Sequence, residues 1–244
     1  MKVAVISDVH ANLEALEEVL SDIDSAGAES IVCLGDIFGY GPNPEETVRL
    51  IRSLSIPSVM GNHELVLVEP EFLDWFNETA QRSILLSEEL ISADTRNWLS
   101  SLDATLIFQG ALFVHGCPPA SITKYIFEWN DSGLKSIFGQ MEQQICFVGH
   151  THTLEAVSFT DGKIRRHALK RGTFKLNGDA KYIIVTGSVG QPRDGNNNNA
   201  KYVIWDNIEQ TLEIRFVPYD IAKTAAKIVA LGFPQYNAWR LWQV

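Results

Sequence analysis

Apolar runs and helical patterns alternate along the first sixty residues. Residues 1–6 form an apolar run that is too short for a membrane span and predicts a buried strand. Apolar positions between residues 13 and 23 recur at helical spacing, and a second apolar run follows at 31–34. A helix start at Asn43-Pro44 and a third apolar run at 58–60 continue this alternation, which predicts a parallel sheet.

The middle of the chain is helical but irregular. From about residue 71 to residue 102 the pattern indicates helices, and we expect a helical insert or a lid there, with Trp75 and Phe76 among its buried side chains. A hairpin around Gln109-Gly110 and a helix over about 131–141 follow.

Strands dominate the last third of the chain. Asp161-Gly162 separates two strand-like runs, which is a strong hairpin signal. Three more strand candidates follow, and a helix over 220–231 precedes an aromatic tail. Because neither a repeat nor a clear boundary interrupts the chain, we expect a single domain over residues 1–244.

The composition is that of a soluble globular protein, with 45% hydrophobic and 20% charged residues. Thirty acidic residues against twenty basic ones give a formal net charge of −10. This balance argues against a broad nucleic-acid-binding surface. It does not exclude a small phosphorylated substrate, because bound cations would supply positive charge locally.

The cysteines and the N-terminus bear on the cellular compartment. Cys33, Cys117 and Cys146 are odd in number and widely spaced, which favours free thiols in a reducing environment. The first residues lack the features of a signal peptide, and no stretch is apolar enough to cross a bilayer. We therefore expect a cytoplasmic protein without a membrane partner.

Five apolar runs end at residues of the types that commonly bind metal ions. These residues are Asp8 with His10, Asp36, Asn62, His115, and His150 with His152. An isolated Asp-x-His is more often a helix cap beside a surface histidine. Here five of the six histidines lie at or just after such an end, and only His167 does not. Because the carboxyl ends of strands converge in α/β sheets, the pattern predicts one metal site.

The same segments resemble the five sequence blocks of the calcineurin-like metallophosphoesterases. The matching motifs, in the order of that family, are Asp8-Val9-His10, Gly35-Asp36, Gly61-Asn62-His63-Glu64, His115-Gly116 and Gly149-His150-Thr151-His152. Gly39-Tyr40-Gly41-Pro42 and the segment from Gly187 to Arg193 resemble the small bacterial phosphodiesterase-like branch. The resemblance implies an α/β fold, a four-layer α-β-β-α sandwich of two mixed β-sheets flanked by helices.

The resemblance also implies two divalent metal ions. Transferred by position, the ligands of one ion are Asp8, His10, Asp36 and His152, and those of the other are Asp36, Asn62, His115 and His150. Asp36 would bridge the two, since a carboxylate has two oxygens. Mixed oxygen and imidazole ligands make Mn²⁺ our first expectation, with Fe, Zn²⁺, Ni²⁺ or Co²⁺ as alternatives.

The resemblance implies hydrolysis of a phosphoester. Two ions about 3.5–4 Å apart would clamp the phosphate and supply a bridging hydroxide near neutral pH. His63 is the candidate general acid, because a departing alkoxide needs a proton; support of Asn62 is the alternative role. Arg193 is a candidate phosphate contact through its planar guanidinium, with a surface ion pair as the alternative.

Three further residues are candidate substrate contacts. Asn12 could hydrogen-bond near the site, although capping of the first helix is the more common role for such a residue. Tyr40 and Tyr125 could line a substrate groove, and packing in the core is an equally good reading. The sequence leaves these alternatives open.

The leading hypothesis is a phosphodiesterase that acts on a small phosphodiester, with nucleotide derivatives among the candidates. A phosphomonoesterase or a protein phosphatase is the alternative within enzymes. Protein phosphatases of this superfamily carry Gly-Asp-x-x-Asp-Arg-Gly, whereas residues 35–41 read Gly-Asp-Ile-Phe-Gly-Tyr-Gly and lack the second aspartate and the arginine. A non-catalytic scaffold that retains the fold is the alternative of another class, and the completeness of the five blocks argues against it. The aromatic C-terminal segment leaves a homo-oligomer open.

Overall fold

The structure, a computed structural model, describes residues 1–195 and 197–243. Its strands are β1 Lys2–Ile6, β2 Ser30–Cys33, β3 Thr105–Phe108, β4 Ala111–Val114, β5 Ile145–Val148, β6 Leu154–Thr160, β7 Lys163–Ala168, β8 Gly172–Lys175, β9 Lys181–Thr186, β10 Ala200–Asp206 and β11 Thr211–Val217. Its α-helices are α1 Leu13–Ser25, α2 Pro44–Ser53, α3 Asn62–Val68, α4 Glu78–Glu89, α5 Ala93–Ser100, α6 Asp131–Gln140, α7 Ile221–Ala230 and α8 Gln235–Arg240. Short 3-10 helices span Pro70–Trp75 and Ile126–Glu128.

The strands form two mixed sheets. The first has the order β2-β1-β10-β11-β8, and the second has the order β3-β4-β5-β9-β6-β7. Strands β1 and β2 are parallel, as are β4, β5 and β9, whereas the other pairs are antiparallel. Parallel pairing thus joins strands that are distant in sequence, and antiparallel pairs, among them the β6–β7 hairpin, complete each sheet.

Alternation along β1 shows how the layers pack. Val3 and Val5 lie in a buried cluster between the sheets, together with Phe147 of the other sheet. Ala4 and Ile6 point to the opposite face and pack in a cluster with residues of α1 and α2. The second sheet is covered on its outer face by α6. Successive side chains of a buried strand therefore contact different layers, and the α-β-β-α sandwich expected from the resemblance is confirmed.

The segment expected to be a helical insert contains the 3-10 helix Pro70–Trp75, α4 and α5. Its side chains Phe76, Ala80, Ile84 and Leu99 belong to the same buried cluster as Ala4 of β1. This segment is therefore packed into the helical layer that covers the first sheet. Trp75, expected to be buried, is instead 47% exposed.

Several elements differ from the pattern-based expectation. The third apolar run, residues 58–60, forms only an isolated β-bridge, between Cys33 and Ser58. The chain then enters α3 at Asn62. Strand β8 has no counterpart among the predicted strands, because its short sequence has no alternation of apolar and polar residues. It forms by pairing with β11. Helix α8 lies within the aromatic tail.

The three cysteines are buried and free. Burial raises the pKa of the Cys33 thiol to about 12, so this side chain packs as a small apolar group. Among the helices of the described residues, none combines the length and the apolar character that a membrane span requires.

Candidate metal centre

The predicted ligands converge where the loops after β1, β2, β4 and β5 meet the start of α3. Backbone hydrogen bonds connect these loops: His10 N donates to Asp36 O at 2.8 Å, and Gly149 N donates to His115 O at 2.8 Å. Five of the ligands have φ angles in the left-handed region, namely Asp8, His10, Asp36, His150 and His152. Such conformations are rare outside glycine and are typical of functional sites.

Potential ligand atoms form two groups that share one carboxylate. Atoms of Asp8, His10, Asp36 and His152 all lie within 4.8 Å of one another, and so do atoms of Asp36, His115 and His150. Asn62 adjoins the second group, since its Oδ1 lies 2.9 Å from His115 Nε2. The structure thus brings together all seven residues named from the sequence, with Asp36 between the two groups.

Hydrogen bonds orient the imidazoles of the first group. His152 Nδ1 donates to Gln191 O at 2.6 Å, and His10 Nδ1 faces Phe38 O at 3.4 Å. Because a carbonyl oxygen only accepts, each hydrogen is assigned to Nδ1, and each Nε2 keeps a lone pair. The two Nε2 atoms face each other at 3.1 Å. A cation between them would remove the repulsion of the lone pairs.

A carboxylate oxygen of the same group also lacks a partner. Asp8 Oδ1 is buried and accepts no hydrogen bond from the described residues, and it lies 3.2 Å from His152 Nε2. A buried acceptor without a partner is costly, whereas ligation of a cation would satisfy it. The chemistry of this donor set therefore fits a divalent metal ion.

The second group is built in the same way. His115 Nδ1 donates to Leu34 O at 2.7 Å, and His150 Nε2 donates to Thr123 O at 3.2 Å. These bonds direct His115 Nε2 and His150 Nδ1 towards each other, and the two atoms lie 3.2 Å apart. With the Asn62 and Asp36 oxygens beside them, they offer mixed nitrogen and oxygen ligation, which suits a transition metal.

Burial governs the protonation of most of these histidines. It lowers the pKa of His150 to about 3 and those of His10 and His152 well below the ordinary value. These imidazoles are therefore neutral at pH 7 and have lone pairs to donate. Burial likewise raises the pKa of the Asp8 carboxyl to about 7.

Asp36 and His115 form a charged pair. Burial alone would raise the pKa of Asp36, but the positive charge of His115 and then that of His63 hold it well below the ordinary value. Burial alone would lower the pKa of His115, but the Asp36 carboxylate 3.4 Å away raises it to about 9. A proton thus occupies His115 Nε2 without metal, and metal binding would release it.

Glu64, which is not among the residues predicted to form the site, organises it. It is fully buried, and its Oε2 accepts from the backbone N–H groups of Asp36 and Gly61, both at 2.8 Å. Its Oε1 accepts from Ile37 N at 2.8 Å. Glu64 is the third residue of α3, the position of the acid in a capping box, so the Gly-Asn-His-Glu motif contains a usable signal.

Gly61 leaves space for the bridging carboxylate. A Cβ added to Gly61 would lie 2.2 Å from Asp36 Oδ1. Since no real Cβ approaches an oxygen so closely, any other residue here would displace Asp36.

His63 lies beside the shared carboxylate. Its Nε2 is 3.9 Å from Asp36 Oδ2, and its Nδ1 is buried without a hydrogen-bond partner among the described residues. Burial lowers the pKa of His63 to about 4, an effect that the Asp36 charge partly opposes. Gly39 packs directly on the ring, since an added Cβ would lie 2.1 Å from His63 Nδ1.

Two adjoining cavities open over the centre. The first, of about 310 Å³, is lined by Asp36, Asn62 and His63 on its floor and by Trp75 and Tyr125 on one side. The second has a volume of about 520 Å³. Tyr40, Asn77 and Arg193 line both cavities, so these residues form the passage between them.

Aromatic rings form one wall of the first cavity. The Tyr125 ring stacks on His150 with a centroid distance of 3.8 Å, and Trp75 stacks on His150 at 6.1 Å. Trp75 is partly exposed because it lines this cavity instead of the core. Hydrophobic periodicity along the sequence does not distinguish a side chain in the core from one that lines a cavity.

Three of the candidate substrate contacts, Arg193, Tyr40 and Asn12, differ in their surroundings. Arg193 and Tyr40 line both cavities, and the guanidinium lies 5.8 Å from the Tyr40 ring centroid. Asn12 is buried, and its Oδ1 accepts from Ala15 N at 3.2 Å while its Nδ2 donates to Gly190 O at 3.0 Å. It caps α1, the alternative role expected for it, and lines neither of these two cavities, so its contact with the substrate stays a prediction.

An α-β-β-α sandwich that holds two carboxylate–imidazole groups with a shared aspartate has the architecture of the metallophosphoesterases. The calcineurin-like phosphoesterase superfamily domain matches residues 1–209 of this chain. The chain belongs to that superfamily, which supports a metal-dependent phosphoester hydrolase.

Individual proteins resemble this chain over different shares of its length. An uncharacterised protein of Methanocaldococcus jannaschii is 40% identical over 245 residues, covering 98% of this chain and 97% of the relative. The crystal structure of a metallophosphoesterase from Sphaerobacter thermophilus has a TM-score of 0.84 and 36% identity, and the match covers 99% of this chain and 98% of that one. A symmetrical bis(5'-nucleosyl)-tetraphosphatase of Cronobacter sakazakii is 30% identical over 102 residues, 41% of this chain and 36% of the relative.

Proposed function

We propose that this protein is a phosphodiesterase that uses two divalent metal ions, Mn²⁺ first among them, to hydrolyse a small phosphodiester. The observation that carries the proposal is the pair of cavities at the centre, about 310 and 520 Å³ in volume. A diester has a substituent on each side of its phosphate. The aromatic side of the first cavity and the second cavity beyond Tyr40 would each accommodate one substituent.

A nucleoside suits the aromatic side. Trp75, which is 47% exposed, and Tyr125 line the cavity next to the centre, and bases stack on aromatic side chains with little dependence on their identity. The Cronobacter sakazakii relative is named for action on a bis(5'-nucleosyl) compound, which also favours a nucleotide derivative. We therefore place the nucleoside of the substrate against this wall.

The residues of the centre would divide the chemistry between them. When bound, two metal ions would neutralise the phosphate and activate a water molecule. Asp8, His10, Asp36 and His152 would hold one ion, and Asp36, Asn62, His115 and His150 the other. Arg193 would bind a phosphate oxygen through its guanidinium, whose hydrogen bonds with the described residues go to the uncharged Gln191.

His63 would give its proton to the departing alkoxide. Burial keeps its pKa low in the free protein, but the negative charge of a bound phosphate would raise that pKa. Its imidazole has no competing hydrogen bond with the described residues, since Nδ1 is unpartnered and Nε2 lies 3.9 Å from Asp36 Oδ2. His63 would then be protonated when substrate is present.

The test compares bis(p-nitrophenyl) phosphate with p-nitrophenyl phosphate, using metal-stripped protein to which Mn²⁺ is returned. We expect activity to rise until about two ions are bound per chain, because two ligand groups share Asp36. We expect kcat/KM to be higher for the diester. Asp36→Asn should abolish activity and weaken Mn²⁺ binding measured by calorimetry.

Asp94→Asn is the matched control, because Asp94 is 78% exposed on α5 and its only ion pair in the described residues is with Arg52. It should leave metal binding and kinetics unchanged. Faster hydrolysis of the monoester would replace the proposal by a phosphomonoesterase. Mn²⁺ bound at both sites without hydrolysis of either ester would favour a scaffold.

A further inference from the structure

The second cavity is more basic than the overall charge of the protein suggests. It is lined by Arg193 from the loop after β9 and by Arg240 from α8. Among the described residues that line it, the only acidic one is Glu78, which is exposed at the start of α4. Two cations therefore face one carboxylate in a protein whose formal net charge is −10.

Neither arginine is neutralised by the described part of the chain. Arg193 donates to Gln191 Oε1 from Nε at 3.2 Å and from Nη2 at 2.6 Å, and Gln191 is uncharged. Arg240 donates from Nη1 to the Tyr236 hydroxyl at 2.7 Å, and its Nε is buried without a hydrogen-bond partner. Guanidinium groups in this state have donors available for an anion.

The cavity wall that carries Arg240 is anchored. Asn237 of α8 is buried, and its Nδ2 donates to Tyr40 O at 2.9 Å and to Ser83 Oγ at 2.8 Å. Phe233 and Leu241 add a small buried cluster around the same helix. These contacts connect α8 to the Tyr40 loop and to α4, so Arg240 is held beside the passage to the metal centre.

We propose that Arg193 and Arg240 form a subsite for a second phosphate group of the substrate, one that is not hydrolysed. This inference rests on the proposed function, and it narrows the substrate to a phosphodiester or phosphoanhydride with at least one additional phosphate. The scissile phosphate would lie at the metal centre, and the additional one beyond Tyr40. Arg193, which lines both cavities, would contact both phosphates, and Arg240 would contact only the additional one. The negative charge of Glu78 at the rim would repel further anionic groups of a ligand.

The experiment compares AMP with ADP, which share a nucleoside and differ by one phosphate. Each is tested as an inhibitor of bis(p-nitrophenyl) phosphate hydrolysis by the Mn²⁺-loaded protein, at constant free Mn²⁺. In the wild-type protein we expect ADP to bind at least about tenfold more tightly, since charge-assisted hydrogen bonds contribute on that scale. Arg240→Gln should bring the ratio of the two inhibition constants to below about threefold.

Arg165→Gln is the matched control, because Arg165 is exposed on β7 and lines neither cavity. It removes the same charge and should keep the wild-type ratio, whereas Glu78→Gln should increase it. A general defect of the centre would weaken both nucleotides equally and leave the ratio unchanged. Equal binding of AMP and ADP by the wild type, or an unchanged ratio in Arg240→Gln, would overturn the subsite.

Failure of the proposed function gives a different result. If the loaded protein hydrolyses no ester, calorimetry with AMP and ADP still measures the same ratio of dissociation constants. A ratio that depends on Arg240 then supports the phosphate subsite in a binding protein. A ratio that does not depend on it overturns the subsite as well.

Discussion

His63 is the residue on which the proposed chemistry depends most directly. It is buried beside Asp36, and its ring contacts those of Tyr40 and Phe76 at 4.8 and 5.1 Å between centroids. If the role of His63 were mainly structural, its replacement would lower kcat for all substrates alike. A general acid affects most strongly the substrates whose leaving group cannot depart as an anion.

We expect His63→Ala to lower kcat by about 10²–10⁴-fold for a diester with an alkyl leaving group, the usual contribution of a general acid. The loss should be much smaller for bis(p-nitrophenyl) phosphate, because p-nitrophenolate departs without a proton. The measurement is kcat for both esters in the Mn²⁺-loaded variant, with bound Mn²⁺ determined in the same samples.

His167→Ala serves as the control, since His167 lies on β7 and bonds Ser158 Oγ at 2.9 Å, outside the centre. Gly39→Ala should reproduce the His63→Ala pattern, because the new methyl group would displace the imidazole. Equal losses for both esters in His63→Ala would contradict the general-acid role.

At the scale of elements, the loop after β2 and the start of α3 behave as one unit. Glu64 connects them through the backbone N–H groups of Asp36, Ile37 and Gly61. Asp36 Oδ1 in turn accepts from His63 N at 2.9 Å. The position of the shared metal ligand is thus set by a helix terminus, and Glu64 supports the ligand without touching a metal itself.

We expect Glu64→Gln to weaken Mn²⁺ binding by about 10–100-fold, the usual cost of losing a group that orients a ligand. The amide keeps one acceptor oxygen but turns an NH₂ group towards backbone donors. Calorimetric titration of metal-stripped protein with Mn²⁺ measures the change. Glu17→Gln, an exposed change on α1, should bind Mn²⁺ like the wild type, and an unchanged affinity in Glu64→Gln would remove the proposed role.

At the scale of the whole molecule, one polar network connects the helical layer to the first sheet. Asp22 of α1 accepts from Arg215 of β11 at 2.6 and 3.0 Å and from the Tyr202 hydroxyl of β10 at 2.7 Å. These three residues are up to 193 positions apart in sequence. The Arg215 hydrogen bonds are the largest of the causes that lower the pKa of Asp22.

We expect Asp22→Asn to reduce the free energy of unfolding by about 1–2 kcal/mol at pH 7, because hydrogen bonds to a charged group are lost from a partly exposed site. A carboxyl whose pKa is lower in the folded state stabilises the protein above its unfolded pKa. That contribution is lost as the pH falls through the folded pKa. The difference between variant and wild type should therefore shrink below about pH 3.8.

Urea denaturation of the metal-stripped proteins at several pH values measures this difference, and removal of metal avoids its release at low pH. Asp24→Asn, an exposed change two residues away on α1, is the control and should match the wild type throughout. A difference that stays constant between pH 7 and pH 3 would show that the charge of Asp22 does not contribute.

Periodicity and rare residue types account for what could be predicted of the fold and the site. The positions of α1 and of the β6–β7 hairpin follow from local spacing and from Asp161-Gly162. The residues from 58 to 60 have the same apolar character, yet they form a single bridge. Whether an apolar run pairs as a strand at the edge of a sheet depends on a segment distant in sequence, so no local pattern predicts it.

The sequence by itself determined the candidate ligands and the order of most elements, because metal-binding side chains at strand ends are rare and hydrophobic periodicity is a local property. Only the tertiary structure decided what surrounds the centre. Trp75 turned out to line a cavity, Asn12 to cap a helix, and Arg240 to line the same cavity as Arg193 although they are far apart in the chain. Such positions result from packing between distant segments, which leaves no signature in the sequence around each residue.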